Sequence, residues 1–469
     1  MSKRSRLTGR FPSSGKSPCL AALFSIFVLA AQVPPVFCQS LSEGAQREID
    51  ALFEEWSDPS RPGASILVAR GSDILYEKGY GSANLEHSIP NSPETIFLIA
   101  SISKQFTAYA IAMLADEGRL SLDDDIRVYV PEIHEFDDTI TIRHLIHHIS
   151  GLRDEFDLLG MAGWRMDDVI THEAILHLVF AQTSLNFTPG EKYLYSNTGY
   201  TLLAEIVQRI TKQSFREWMK ENVFDPLGMD RTHIHDAYRE IVPDRAQGYE
   251  PDVTGGHHKQ IYSYQNFGST GVFTTARDLA KWLHNFDKPV VGSRRIVEQV
   301  YQRGILNAGD TLSYAFGLRH GEYHGHRRIS HSGWHRGFRS VAYRFPDDSL
   351  SIIVLANTNG LNPSEKGLEI ADLFFRPSEL ELAEYAGTYR SEDLDTSYEI
   401  RLENGHLRAF HVRNDPFDLT WDGPDTFTTD AEYFDNIVFS RSESVLTGFE
   451  GTTKRTIDVS FTRINLSKH

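Results

Sequence analysis

Apolar residues fall into three regimes along the chain. The runs 63–70 and 73–80 are rich in Ile, Leu, Val and Tyr and are separated only by Gly71-Ser72. Short apolar runs joined by a two-residue glycine turn predict a β-hairpin. Residues 340–345 and 351–356, parted by Pro346-Asp347-Asp348, predict a second pair of strands. Between these pairs the apolar positions recur with helical spacing, as in 104–114 and 200–210. Strands at both ends of a helical middle, without regular alternation, predict an α+β sandwich with a helical insertion.

The third regime begins after Phe375-Arg376-Pro377-Ser378, where helix formers give way to short β-rich runs. Leu382, Tyr385, Gly387 and Tyr389 open it, residues 398–402 alternate, and Asn404-Gly405 has the composition of a type I′ hairpin turn. Residues 379–469 are therefore expected to form a separate all-β domain, a small barrel or sandwich, behind a domain spanning 39–376. A loop of this tail is expected to shape the leaving-group side of the active site.

The N-terminus has another character. Lys3, Arg4, Arg6, Arg10 and Lys16 precede an apolar stretch from Cys19-Leu20 to Ala30-Ala31, which Pro34-Pro35 closes. This order predicts a secretory signal peptide over 1–38, cut after Cys38, with Val36 and Cys38 at the small-residue positions. The stretch is shorter than the roughly 18 residues of a membrane-spanning helix, so a retained anchor is the secondary alternative. The mature protein is then exported, periplasmic or extracellular. Both cysteines, Cys19 and Cys38, lie in this segment, which excludes disulfides, thiolate nucleophiles and cysteine metal sites from the body. The formal net charge is -17 and the leader is basic, so the body is more acidic still. Such a surface repels phosphate backbones and excludes nucleic acid as a partner.

The candidate chemistry starts at Ser101-Ile102-Ser103-Lys104, at the head of a helical stretch. Positions i and i+3 share a helix face, so Ser101 and Lys104 stand together. A serine hydroxyl attacks poorly until a base takes its proton, and a desolvated lysine is such a base. Ser103 lacks a lysine at the same offset. Tyr195-Ser196-Asn197 places a phenol and a carboxamide two residues apart in a loop, able to project to one side; a phenolate near a lysine is also a competent base. In His331-Ser332-Gly333-Trp334 the glycine admits close backbone approach to a ligand, and the next N–H can donate to an oxyanion.

These three segments, in this order, resemble the boxes of the serine β-lactamase and penicillin-binding protein superfamily, most closely its class C-like branch of esterases, D-aminopeptidases and DD-peptidases. Residues 145–152, 224–229 and 268–279 extend the resemblance over roughly 50–365. It implies a three-layer sandwich, an antiparallel sheet flanked by helices. Ser101 would be the nucleophile, with Lys104 and Tyr195 exchanging the proton. Asn197 would orient Lys104 and the substrate amide, and His331, Ser332 and Gly333 would bind substrate. The backbone N–H groups of Ser101 and Trp334 would form the oxyanion hole. Hydrolysis through an acyl-enzyme would need no cofactor and no metal, and its partner would be a small-molecule or peptide substrate, cell-wall-derived peptides included. The tail is similar to the lipocalin-like barrel appended to some members.

His331 departs from the pattern, because the usual lysine stays charged while histidine is mostly neutral near pH 7. Weaker carboxylate recognition is expected, favouring esters, amides or D-amino-acid peptides over β-lactams, with activity following the protonation of His331. Three other readings compete. A metal hydrolase would use the crowd His320, His324, His326, His331 and His335, but His-Glu-x-x-His is absent and Arg327-Arg328 repels a cation. A nucleophile-elbow hydrolase lacks its Gly-x-Ser-x-Gly. A non-catalytic binding protein that keeps the fold has no need of Ser101, Lys104, Tyr195 and Asn197 together. His147 and His148 are taken as structural helix residues.

Overall fold

The computed structural model describes residues 40–464 and Gly9; the signal segment inferred over 1–38 lies, Gly9 apart, outside the described residues. The elements that build the site are α1 (Glu43–Leu52), β1 (Ala64–Arg70), β2 (Asp73–Tyr80), α2 (Ser103–Asp116), α3 (Glu155–Met161) and α4 (Asn197–Thr211). They continue with α5 (Ala276–Asn285), β3 (Tyr314–Ala315), β4 (Leu318–Tyr323), β5 (His326–His335), β6 (Phe338–Phe345), β7 (Leu350–Ala356) and α6 (Pro363–Phe375). Among the described residues, seven strands form one antiparallel sheet in the order β3-β4-β5-β6-β7-β1-β2. The expected hairpin is present: Gly71 turns the chain at φ 58°, a conformation that glycine adopts without strain.

The layers follow from the period of two along a strand. Ile66 and Val68 of β1 enter a core with Ile49 and Phe53 at the α1 end of the chain and Ile370 and Ala371 of α6. Leu67 and Ala69, their neighbours on the opposite face, join Phe106, Ile111 and Leu279 in the larger core of α2, α5 and the helical middle. β1 and β7 pair across most of the sequence, Ile66 opposite Val354, and are buried on both faces. A strand covered on both sides reads as a continuous apolar run, as these do.

Eight further strands between Gly387 and Ile464 close into a barrel. Asn404 and Gly405 make their turn at φ 53° and 81°, as a type I′ turn requires. Its interior is packed with aromatic rings, among them Phe449 and Phe461 stacked at 4.5 Å. A short helix, Glu379–Ala383, precedes the first of these strands, so the tail is not wholly β. Ser378 and Glu381 cap it reciprocally, a local signal in the sequence. His324 joins barrel and sheet, lying between the rings of Tyr323 at 4.0 Å and Trp421 at 4.4 Å. Among the described residues, no helix is long and apolar enough to cross a membrane.

Candidate active site

Ser101 lies in a single 3-10 turn, Ala100–Ile102, that runs straight into α2. Ala100 sits at φ 47°, a left-handed conformation that costs a non-glycine residue on the order of 1–3 kcal/mol and so needs support from its surroundings. That support is visible. The Ile99 carbonyl accepts from Ser340 Oγ of β6 at 2.9 Å, and the Ile99 N–H donates to the Val272 carbonyl at 3.1 Å. Ser103 Oγ accepts from the Val272 N–H at 3.1 Å and is wholly buried, which makes this second serine a strut and leaves Ser101 facing the cavity.

Lys104 is 0% exposed, and its Nζ has three neighbours: Asn197 Oδ1 at 2.7 Å, the Ser269 carbonyl at 2.8 Å and Ser101 Oγ at 3.3 Å. The first two can only accept. In the ammonium form the third N–H donates to Ser101 Oγ; in the neutral amine, with two N–H donors and one lone pair, those two acceptors take both hydrogens and the lone pair turns to the serine. Burial pulls the lysine down to about 7, while the charges of Glu155 and Asp154 hold it up.

Tyr195 leans over the same centre, with Lys104 Nζ 4.9 Å from its ring centroid. Burial pushes its phenol well above the ordinary value, more strongly than its hydrogen bond to Ser101 lowers it. It is therefore a neutral phenol near pH 7, whereas burial has brought the lysine into that range. Asn197 is the first residue of α4 and not a loop residue. Ser196 caps that helix with no side-chain bond; the Asp154 carboxylate takes the Asn197 N–H instead, at 2.6 Å, an anion at a helix N-terminus. The same oxygen accepts from Asn197 Nδ2 at 3.0 Å, which engages one of the two amide hydrogens.

His331 lies on β5, where burial alternates: His331, Gly333 and His335 face inward, while Ser332 and Trp334 are exposed. His331 Nδ1 donates to its neighbour's carbonyl, Ser332 O, at 2.7 Å, which leaves Nε2 to accept from Tyr314 Oη at 3.1 Å. Burial lowers its pKa to about 3. That shift disfavours the protonated ring near pH 7, which runs against the expectation that activity follows its protonation. The role expected of Gly333 also changes. A Cβ there would collide with the Ile99 carbonyl and Ser340 Oγ, so the close approach it permits is of β5 to the turn before Ser101. Ser101, Tyr195, Asn197, His331, Ser332 and Trp334 line one cavity of about 570 Å³. Phe156, Leu159, Trp164, Met166 and Ile170 form its apolar wall, and Arg319 and Arg336 add two cations. Among the described residues, those lining this cavity all precede the barrel, and the expected tail loop is not among them.

The sequence model of the Beta-lactamase family matches residues 49–375. The chain belongs to the Beta-lactamase family. Penicillin-binding protein 4* of Bacillus subtilis (strain 168) is 27% identical over 78% of this chain and 84% of its own length. The D-aminopeptidase of Gluconobacter oxydans (strain 621H) is 30% identical over 63% of this chain, which spans only 56% of that relative. Among solved structures, the octameric penicillin-binding protein homologue from Pyrococcus abyssi is 25% identical, with a TM-score of 0.63 over 89% of this chain and 98% of its own.

The family's three boxes left several side chains at this centre unread. His148 is one. It lies beyond the end of a helix, Ile142–Ile146, at φ 58°, not within a helix, and packs on Tyr195 with centroids 4.2 Å apart. Its Nδ1 accepts from the Ser196 N–H at 3.2 Å. Asp154, Glu155, Ser269, Tyr314 and Arg319 also reach the centre, from stretches of chain outside the three boxes. The histidines between 320 and 335 have scattered partners: His324 meets Asp372, His326 meets Asp348, and His331 meets Tyr314. Elsewhere, His233, His235 and Glu240 bring ligand atoms within 4.8 Å of one another. Arg216 already grips both oxygens of Glu240, and Arg245 lies 3.5 Å from His235 Nε2, so cations of the protein itself occupy that cluster.

Proposed function

We propose that this member of the family is a serine hydrolase that works through a covalent acyl-enzyme on amides and peptides of D-amino acids and on esters. The observation that carries this is the lysine whose two acceptors leave its lone pair for Ser101. The Ser101 hydroxyl proton passes to Lys104 Nζ as Oγ bonds to the acyl carbon. The oxyanion that forms is held by the backbone N–H groups of Ser101 and Trp334, each such donor being worth about 10²–10³ in rate. As the C–N or C–O bond breaks, the neutral phenol of Tyr195 hands a proton to the leaving group and recovers one from Lys104. Water then attacks the acyl-enzyme by the same route, releasing the acid and restoring the serine proton.

The cavity suggests the substrate. Its apolar wall suits an aromatic or aliphatic side chain on the acyl part, and its two arginines suit a carboxylate or another anionic group nearby. These cations offset the charge lost where histidine replaces lysine, so anionic substrates are within its range. The D-amino-acid preference draws on the relative named D-aminopeptidase. A leader over 1–38 would place the reaction in the periplasm or outside the cell, where cell-wall peptides are available.

The experiment is turnover of paired D- and L-amino-acid p-nitroanilides and p-nitrophenyl esters by the wild type and Ser101→Ala. Turnover of D-anilides or esters that disappears in the variant is the expected result; turnover equal in both proteins, or L-anilides preferred, would contradict it. The pH profile is a second prediction. A base must be neutral to accept a proton, so kcat/KM should rise with pH through about 7, where burial has brought Lys104, and no step should belong to His331. A midpoint near the ordinary lysine value would contradict the assignment.

A further inference from the structure

Asp154 and Glu155 belong to none of the three boxes, yet each stands behind one of the two acceptors of Lys104. Asp154 Oδ2 holds Asn197 by its backbone N–H at 2.6 Å and by Nδ2 at 3.0 Å. A carboxamide whose nitrogen is held in this way turns its oxygen to the opposite side, and that oxygen accepts from Lys104 at 2.7 Å. Glu155 is wholly buried. Its Oε1 accepts from Ser269 Oγ at 3.0 Å and Asn266 Nδ2 at 2.7 Å, and the carbonyl of that same Ser269 takes the second hydrogen of Lys104. Oε2 of Glu155 has no hydrogen-bond partner among the described residues. The charged form of this buried carboxylate is favoured by its hydrogen bonds with Thr201 and Ser269 and, after them, by the positive charge of Lys104.

We propose that Asp154 and Glu155 are positioning residues for the lysine: Asp154 fixes which face Asn197 presents to it, and Glu155 anchors Ser269 and supplies the negative charge against which Lys104 takes up and releases its proton. This rests on Lys104 being the base of the proposed reaction. The remaining groups about the lysine add little opposing charge. Tyr195 and Tyr200 face it with their rings, at 4.9 and 5.7 Å, and burial keeps both phenols protonated. His148 and His331 are held neutral by burial. Tyr264, 3.4 Å from Glu155, is likewise a neutral phenol, and His172 meets Asn266 on the far side. The exposed Arg319, 5.9 Å from the Tyr195 ring centroid, is the nearby cation. Glu155 itself is raised to about 7 by burial, so lysine and glutamate exchange charge in the same pH range.

A purely structural role is the competing account, since Asp154 also caps α3 through the Phe156 N–H at 2.9 Å. The two differ in what they do to pH dependence. The rate at which a fluorophosphonate labels Ser101 would be measured from pH 5 to 9 in wild type, Glu155→Gln, Asp154→Ala and Asp154→Asn, with thermal unfolding of each. Removing the charge of Glu155 should move the ascending limb down by about one pH unit, because an ammonium that has lost its counter-charge deprotonates more readily. Asp154→Ala should lower the plateau by about tenfold as Asn197 loses its fixed orientation. Asp154→Asn, which still offers an acceptor, should restore most of that plateau while shifting the limb in the same direction as Glu155→Gln. Folded variants with the wild-type limb and plateau would overturn the proposal. So would an Asp154→Ala loss that Asp154→Asn fails to restore with the limb unmoved. If Glu155→Gln does not fold, the two Asp154 variants decide the matter alone. A wild type that takes no label would instead overturn the assignment of Lys104 as base, and the proposal with it.

Discussion

Replacing Lys104 with methionine is expected to lower the acylation rate of Ser101 by about 10³-fold while the protein stays folded, because a positioned general base contributes about 10²–10⁴. Methionine is the informative choice. It is unbranched, of similar length and apolar, so it fits a position that is 0% exposed without leaving a charge in the core. The substitution removes the amine bonded to Ser101 and leaves Asn197 Oδ1 and the Ser269 carbonyl without this donor. Two unsatisfied acceptors destabilise by about 1–3 kcal/mol each at most, offset in part by the burial cost of the ammonium that is no longer incurred. Stopped-flow acylation with a p-nitrophenyl ester and a thermal melt check both parts. A variant that melts like wild type and acylates within tenfold of it would remove Lys104 from the mechanism.

The second large effect is expected at Gly333, through geometry and not through charge. An alanine Cβ there would occupy the space of the Ile99 carbonyl and of Ser340 Oγ, the two groups that bond to each other to brace the turn ahead of Ser101. Either β5 withdraws or the turn does. Overpacking of this kind typically destabilises by about 1–3 kcal/mol. The functional loss should be greater in proportion, on the order of 10²-fold in kcat/KM, since β5 carries the Trp334 N–H assigned to the oxyanion and displacements near 1 Å cost that much. Chemical denaturation and steady-state kinetics of Gly333→Ala test the two consequences separately. Wild-type kinetics in this variant would mean that the contact between β5 and the nucleophile turn does not set the geometry of the site.

The parts of this architecture that were legible in the sequence are those encoded locally. Gly71-Ser72 and Asn404-Gly405 turn as their composition requires, because a positive φ is a property of one or two residues. Ser101 and Lys104 meet because three residues of helical chain bring them to one face. The remaining contacts at the centre are carried by atoms that have no signature in a linear reading. The second acceptor of Lys104 is a backbone carbonyl, which any residue at 269 would provide. Asp154 reaches Asn197 across 43 positions, and Tyr314 reaches His331 from another strand of the sheet. His148 reads as a helix residue because residues 147 and 148 follow an apolar periodic stretch, whereas the chain leaves the helix at Ile146 and turns left-handed at His148. For His331 the residue type indicated a titratable group, and its burial, which favours the neutral ring, has no signature in the sequence.

The most direct test of the central claim is to find where a covalent adduct forms. Wild type and Ser101→Ala would be incubated with a fluorophosphonate at pH 8, weighed intact, and digested to map the modified peptide. One adduct per chain on the peptide that carries Ser101, absent from a folded Ser101→Ala, is the predicted result. No adduct on a folded wild type, or an adduct equally abundant in the variant, would contradict the acyl-enzyme account and leave a β-lactamase fold that binds without reacting.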